Sequence, residues 1–289
     1  MYYALILVSV GMFAVQFFFS ALYAQSCTKS LYSTMVSSVG AGIVGTVCLL
    51  LINGVSLHCT PFTFLMALWC TVNSLLFTFC GIAALQQINL SLYSTFSMIG
   101  GMLLPFAAGI LFWSEGITWA KVLCFLLIAV GMCFTFESSG KKGNVLYYLG
   151  IFVFNGMSGV ISMVYSHAAF PKGSSADYSL LSSLLRLAVS GAVLLYLIAV
   201  KKEEDRSPKI TWKIVGILAA VGVLGHVANY FLLIALAHVP GSMQYPMVTG
   251  GVMICSTVIG FFTKKQPRIK DVAAVAVSFI GLLCLLLPI

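Results

Sequence analysis

Apolar runs of about twenty residues recur from one end of this 289-residue chain to the other, and they limit its possible folds more than any other feature. A helix needs about 20 apolar residues to cross the hydrocarbon core of a bilayer. On that measure spans are predicted at 2–24, 31–52, 62–85, 90–112, 117–136, 145–168, 178–200, 211–236, 242–262 and 269–288. The connections are short and carry turn chemistry, as at Asn53-Gly54, Gly140-Lys141-Lys142-Gly143, Pro171-Lys172-Gly173 and Pro240-Gly241. No polar block is long enough to fold separately. At 61% apolar and 8% charged, a soluble domain of this size could not hide its apolar surface, whereas a bilayer can. The expected fold class is an all-α membrane protein of ten transmembrane helices with the lipid bilayer as its surroundings.

A formal charge of +8 would suggest nucleic acid in a soluble protein, but here most Lys and Arg sit in the short connections. They are better read as orientation signals, and no nucleic-acid partner is expected. If all ten helices span, one face collects Lys29, Lys141, Lys142, Lys201, Lys202, Arg206, Lys209, Lys213, Lys264, Lys265, Arg268 and Lys270. The other face, which also holds both termini, has Lys121 and Lys172. The positive-inside rule therefore puts both termini outside the cytoplasm, with a bacterial inner membrane as the expected location. The first run has no basic segment before it and no clear cleavage site, so a retained helix is expected rather than a removable signal peptide. The nine cysteines are scattered without metal-ligand spacing and read as small hydrophobes. Neither a metal nor a cofactor is expected.

The chain also repeats itself. An offset of 150 lays residues 83–134 on 233–284 without a gap, matching Gly100-Gly101 to Gly250-Gly251, Phe112 to Phe262, Val122 to Val272 and Gly131 to Gly281. At an offset of 145, Gly11-Met12 falls on Gly156-Met157; at 146, Tyr32-Ser33 falls on Tyr178-Ser179, Ser37 on Ser183 and Gly45 on Gly191. The expected organisation is a first five-helix repeat over 1–140 and a second over 141–289. Five is odd, so the second repeat must enter the membrane from the opposite face. That is the inverted topology of secondary transporters, whose sites lie near the midplane between repeats.

This layout, with Ala83-Ala84-Leu85 before a tight turn, Pro105 inside the fourth helix, Glu115 just after it and Gly131 in the fifth, resembles the drug/metabolite transporter superfamily, specifically its EamA-like ten-helix members. Ala235-Leu236-Ala237, Gly281 and an arginine in the seventh helix, Arg186, extend the resemblance over essentially the whole chain. It implies a small-molecule transporter. The chain departs from the family pattern in Val10-Gly11 of the first helix, where Trp-Gly is common, and in Gly40 of the second, where an arginine is common. Cys255 and Lys265 stand where Pro105 and Glu115 would repeat. Family members usually keep both termini in the cytoplasm, the reverse of what the basic residues here indicate.

Charged residues at membrane depth are expensive and usually face an internal cavity. Arg186 lies inside the seventh span with no obvious acidic partner within the membrane. Either it is a fixed cation for a carboxylate, phosphate or zwitterion, or it snorkels to an interface. In the eighth span His226, Asn229 and Tyr230 fall on roughly one face, for substrate hydrogen bonding or interhelical glue, and His226 would titrate near neutral pH. Asn155, Gln16 and Asn73 invite the same two readings. Tyr93 and Tyr245 are candidate aromatic walls. Gly100, Gly101, Pro246, Gly250 and Gly251 are candidate gate residues, because glycine permits close helix approach and proline frees a carbonyl one turn earlier.

No membrane-embedded glutamate of the kind small multidrug-resistance relatives use to exchange protons for cations is present; Glu137 is read as an interfacial partner of Lys141 and Lys142, and Glu115 as support for the next helix's N-terminus. A cavity with an arginine and no carboxylate favours anions or zwitterions. No phosphate-binding glycine loop or catalytic constellation is visible, so the chain does not read as an enzyme. The expected function is secondary transport or facilitation of small organic metabolites, amino-acid-like, zwitterionic or anionic, by alternating access. Two alternatives stand beside it: a multidrug exporter of lipophilic compounds, and a non-transporting membrane scaffold. A small-molecule substrate is the expected partner, a monomer is compatible with the sequence, and oligomeric state is not readable from it.

Overall fold

A computed structural model of the chain describes residues 1–27, 30–87, 90–134, 145–200, 210–261 and 269–284 and, within them, all side chains except those of 82–87, 90–95 and 271. The described residues form ten α-helices and no strand: α1 (Tyr2–Gln25), α2 (Leu31–Ile52), α3 (Pro61–Gln87), α4 (Leu90–Trp113), α5 (Trp119–Phe134), α6 (Val145–His167), α7 (Ser175–Val200), α8 (Trp212–Leu236), α9 (Gly241–Phe261) and α10 (Ile269–Cys284). Each falls on one predicted span. Seven, α1 to α4 and α6 to α8, are long and apolar enough to cross a membrane. Their outward residues, such as Leu111, Phe112, Leu195 and Trp212, are large and apolar, which lipid solvates and water does not. The chain is an integral membrane protein.

Local chemistry explains where the helices begin. Ser30 and Ser33 form a reciprocal capping box at α2, each side chain bonding the other's backbone N–H. At α7 the same device uses Ser174 and Asp177, and it starts the helix at Ser175, a turn earlier than the apolar run alone indicates. Pro61 opens α3 at a position where the missing N–H costs nothing.

The residues pack as two compact units, and each takes chain from both sequence halves. The first comprises Met1–Ala14, Val72–Ala168 and Leu232–Ile289; the second comprises Val15–Thr71 and Ala169–Phe231. The expected junction at 140 and 141 lies outside the described residues.

Within the first unit α4 packs on α6 and α9, and α10 on α5 and α9. Met102, Cys124, Ile128, Met132, Met253 and Ala274 form one apolar core, and Ile6, Val10, Ala235, Val239 and Val252 another. The α5–α10 crossing is close. A methyl group added at Gly131 would lie 2.7 Å from Ser278 Oγ and 2.8 Å from the Ala274 carbonyl, and one at Gly281 would lie 3.1 Å from the Cys124 carbonyl. Position rises along one helix as it falls along the other, so α5 and α10 run antiparallel.

Within the second unit α2 packs on α7, also antiparallel: Gly42 adjoins Leu187, and Thr46 Oγ1 lies 2.6 Å from Ser183 Oγ. Tyr23, Tyr32, Val36, Ile214, Ile217 and Leu218 bring α1, α2 and α8 into one core, and the Tyr23 hydroxyl donates to the Ser33 carbonyl at 2.7 Å.

Overpacking a tight crossing typically costs about 1–3 kcal/mol. Gly131→Val is therefore expected to lower the thermal unfolding midpoint in detergent, whereas Gly216→Val, at a helix glycine with nothing within 4 Å among the described residues, should leave it near wild type. Equal midpoints for the two variants would contradict the α5–α10 geometry.

Candidate functional site

In the second unit the polar candidates gather around one turn of α8. His226 Nδ1 lies 2.8 Å from the Gly222 carbonyl, so Nδ1 carries the hydrogen and Nε2 is left as an acceptor. Asn229 Nδ2 donates to the Gly225 carbonyl at 2.7 Å, leaving its oxygen and second N–H. Gln16 of α1 lies against Gly225, where an added methyl would be 2.9 Å from Nε2, and its Oε1 has no hydrogen-bond partner among the described residues. The His226 ring fills the notch that Gly45 leaves on α2.

Arg186 belongs to the same group. Its charge acts on both Tyr178, two turns earlier on α7, and His226. Tyr178 also meets Ser182 and Cys70. Spacing of four residues puts Tyr178, Ser182 and Arg186 on one stripe of α7. Tyr178 and Ser182 are buried, and Arg186 is exposed. Four sequence candidates, Arg186, His226, Asn229 and Gln16, are thus assembled with Tyr178 and Ser182. Such a group can accept an anion or the carboxylate end of a zwitterion at Arg186, with neutral donors and acceptors for the remainder.

The first unit's polar candidates are engaged differently, because each bonds the backbone of another helix. Asn73 Nδ2 donates to the Phe154 carbonyl at 2.8 Å and to Ser158 Oγ at 2.9 Å. Asn155 Nδ2 donates to the Ser97 carbonyl at 2.6 Å, directly over Gly101. The Tyr245 hydroxyl donates to the Gly159 carbonyl at 2.9 Å. Gly100 lies against the Phe152 carbonyl, Gly250 against Ile128, and Gly251 against Val10, while Pro246 is buried in α9. The Tyr93 side chain lies outside the described residues, as do Glu137, Lys141 and Lys142.

Two carboxylates act where sequence reasoning did not place them. Glu115 supports α9 rather than α5: its two oxygens accept from the Gly241 and Ser242 N–H groups at 2.8 Å each. The positive end of α9 is a natural seat for it, but a partner 126 positions away leaves no local trace. The carboxylate also borders a hollow of about 240 Å3 with Trp113, His167 and the α8–α9 turn. Asp177 is 2% exposed and ties two connections together. One oxygen accepts from Asn53 Nδ2 at 2.8 Å and the His58 N–H at 2.9 Å, and the other from the Ser174 N–H and hydroxyl at 2.8 Å each. The connection so held carries left-handed backbone at Gly54 (φ 65°) and at Val55 (φ 58°), an uncommon conformation for a β-branched residue. The Ser174–Asp177 half of this clamp is a local capping pattern, whereas the bonds to Asn53 and His58 span more than a hundred positions.

The EamA-like transporter family model matches residues 145–287. The second half of the chain is similar to the EamA-like transporter family. No curated protein matches the chain. A solved crystal structure shares its fold, with a TM-score of 0.73 at 15% identity over 97% of this chain and 94% of that one. The family match indicates a membrane transporter of small molecules, and the solved structure shows the fold.

For this transporter Asp177→Asn turns one acceptor oxygen into an N–H that faces donors. The expected cost is about 1–3 kcal/mol, read as a lower unfolding midpoint and faster amide exchange at His58 and Ser174. Unchanged exchange at both amides would rule out the clamp.

Proposed function

We propose that the transporter is a secondary carrier or facilitator of small organic metabolites bearing a negative group, amino-acid-like, zwitterionic or anionic, and that it works by alternating access between inverted repeats at 1–140 and 141–289. The placement of Arg186 carries the substrate class: a fixed cation at membrane depth, with Tyr178 and His226 in its field and His226, Asn229 and Gln16 around the same turn of α8. A cationic substrate would meet repulsion there.

Two observations support the inverted repeats. Offsetting by 150 exchanges the contact of Gly131 with Ala274 for that of Gly281 with Cys124, and the helices carrying these contacts are antiparallel, as mates from opposed halves must be. In addition, the offsets of 150 and 145 exchange the contact of Gly101 with Asn155 for that of Gly251 with Val10. The family match over 145–287 begins and ends close to the proposed second repeat.

Charge-assisted hydrogen bonds contribute about 1.5–3 kcal/mol each, so Arg186→Ala should cut proteoliposome uptake of a recognised anion or zwitterion by about 10–100-fold. Arg186→Lys should fall between, since it keeps the charge and loses the planar fork. Undiminished uptake of every transported compound by Arg186→Ala would end this reading.

We further propose that both termini face away from the cytoplasm of a bacterial inner membrane, on the strength of the lopsided Lys and Arg distribution. A C-terminal fusion to a phosphatase active only outside the cytoplasm should give full signal. Fluorescence from a C-terminal reporter that folds only inside would reverse the orientation.

A further inference from the structure

Two glycine pairs matched by the repeat sit in opposite surroundings. In the first unit Gly156 of α6 is pressed backbone to backbone against α4, beneath the Gly100 carbonyl and 2.7 Å, measured from an added methyl, from Leu104 Cβ. Its match at an offset of 145 is Gly11 of α1, which has nothing within 4 Å among the described residues. Gly100, the contact of Gly156, matches Gly250 of α9, and Gly250 meets Ile128 and Leu282 instead of α1. Yet α1 does touch α9 beside it, where Gly251 faces Val10 as Gly101 faces Asn155. The α4–α6 and α1–α9 crossings therefore share a register, one closed and one ajar. The second unit repeats the pattern independently. Gly45 of α2 is filled by the His226 ring, whereas its match at an offset of 146, Gly191 of α7, has nothing within 4 Å among the described residues.

A glycine inside a helix costs roughly 0.5–1 kcal/mol relative to alanine. Among the described residues neither Gly11 nor Gly191 gains a close contact in the arrangement seen here. We infer that each is the open half of an exchanging helix crossing: in the opposite-facing state α1 closes on α9 at Gly11 while α4 and α6 part at Gly156, and Gly191 becomes covered while α2 releases His226 at Gly45. This rests on the alternating-access reading and adds the contacts that alternate. Inverted repeats supply the same crossing twice, and close-packed crossings switch between discrete arrangements instead of deforming smoothly.

The test is Gly11→Val in the full chain, reconstituted in lipid nanodiscs for hydrogen–deuterium exchange and in proteoliposomes for flux. The added side chain has room in the state seen here and none in the exchanged one. Amides of 97–104 and 152–156, which open in that exchanged state, should therefore exchange about tenfold more slowly than in wild type. Flux should fall by a similar factor. Gly191→Val should likewise slow exchange at 41–46 and 222–226. Gly216→Val, at an equally open glycine whose match at an offset of 150 is Met66, should change neither segment nor flux. Protection at 97–104 and 152–156 equal to wild type in Gly11→Val overturns the exchange, whatever the flux. Slower exchange there in a protein that moves no compound would leave the exchange standing and remove the transport reading. Should Gly11→Val fail to fold, Gly191→Val decides by the same criterion at its own segments.

Discussion

Helices inside a bilayer gain little from the hydrophobic effect when they associate, because lipid tails are as apolar as leucine; close packing and hydrogen bonds must hold them. Here that burden falls on positions where a glycine lets one helix reach another's backbone. Gly131 and Gly281 bring α5 and α10 to each other's carbonyls, Gly100 and Gly156 do the same for α4 and α6, and Gly222 lies against the Ala41 carbonyl between α2 and α8. The polar side chains of the first unit complete the same design. Asn73, Asn155 and Tyr245 each donate to the carbonyl of a facing helix, which satisfies a buried polar group and pins a crossing at once. Their amides and hydroxyl are therefore joints of the scaffold before they are anything else.

Carboxylates meet the same constraint at the helix ends. Glu115 and Asp177 are each surrounded by N–H or hydroxyl donors, and each serves the N-terminus of a helix, α9 for Glu115 and α7 for Asp177. An unpaired backbone N–H near the membrane has few alternatives. The two acids thus complete helix starts and fix the adjoining connections, which are short enough to transmit that restraint.

The ten helices were readable because bilayer thickness imposes a length on every span, and runs of about 20 apolar residues leave little choice of ends. The start of α7 was the main exception, since Ser175, Ala176 and Asp177 break the apolar run while the capping box continues the helix. Site residues were less readable. The group of Arg186, His226, Asn229 and Gln16 could be nominated one at a time, from the rarity of such side chains inside apolar helices. That Arg186 acts on His226, 40 positions away, and that Gly45 makes room for that ring depend on how α2, α7 and α8 pack. Glu115 was assigned to the wrong helix because capping rules are local and its partner is not.

The proposed repeat would give the two halves a common scaffold and withhold a common chemistry. At an offset of 146 the position matching Arg186 is Gly40, and a methyl group there would already lie 2.6 Å from Leu218 Cδ1. A larger residue there would have to displace the Leu218 side chain, and in the proposed repeat the match of Arg186 is a glycine, not a second arginine. A carrier with one cation cannot release its substrate by passing it to a mirrored arginine. In the proposed mechanism affinity must fall because the surroundings of Arg186 change. Tyr178 is fixed to Arg186 by sharing α7, but His226 rides on α8, which is seated against α2 through the Gly45 notch. Movement at that notch shifts an imidazole relative to the guanidinium while the rest of the α7 stripe stays in register. The close glycine contact that lets α2 and α8 pack is then also the joint through which their motion reaches the cation.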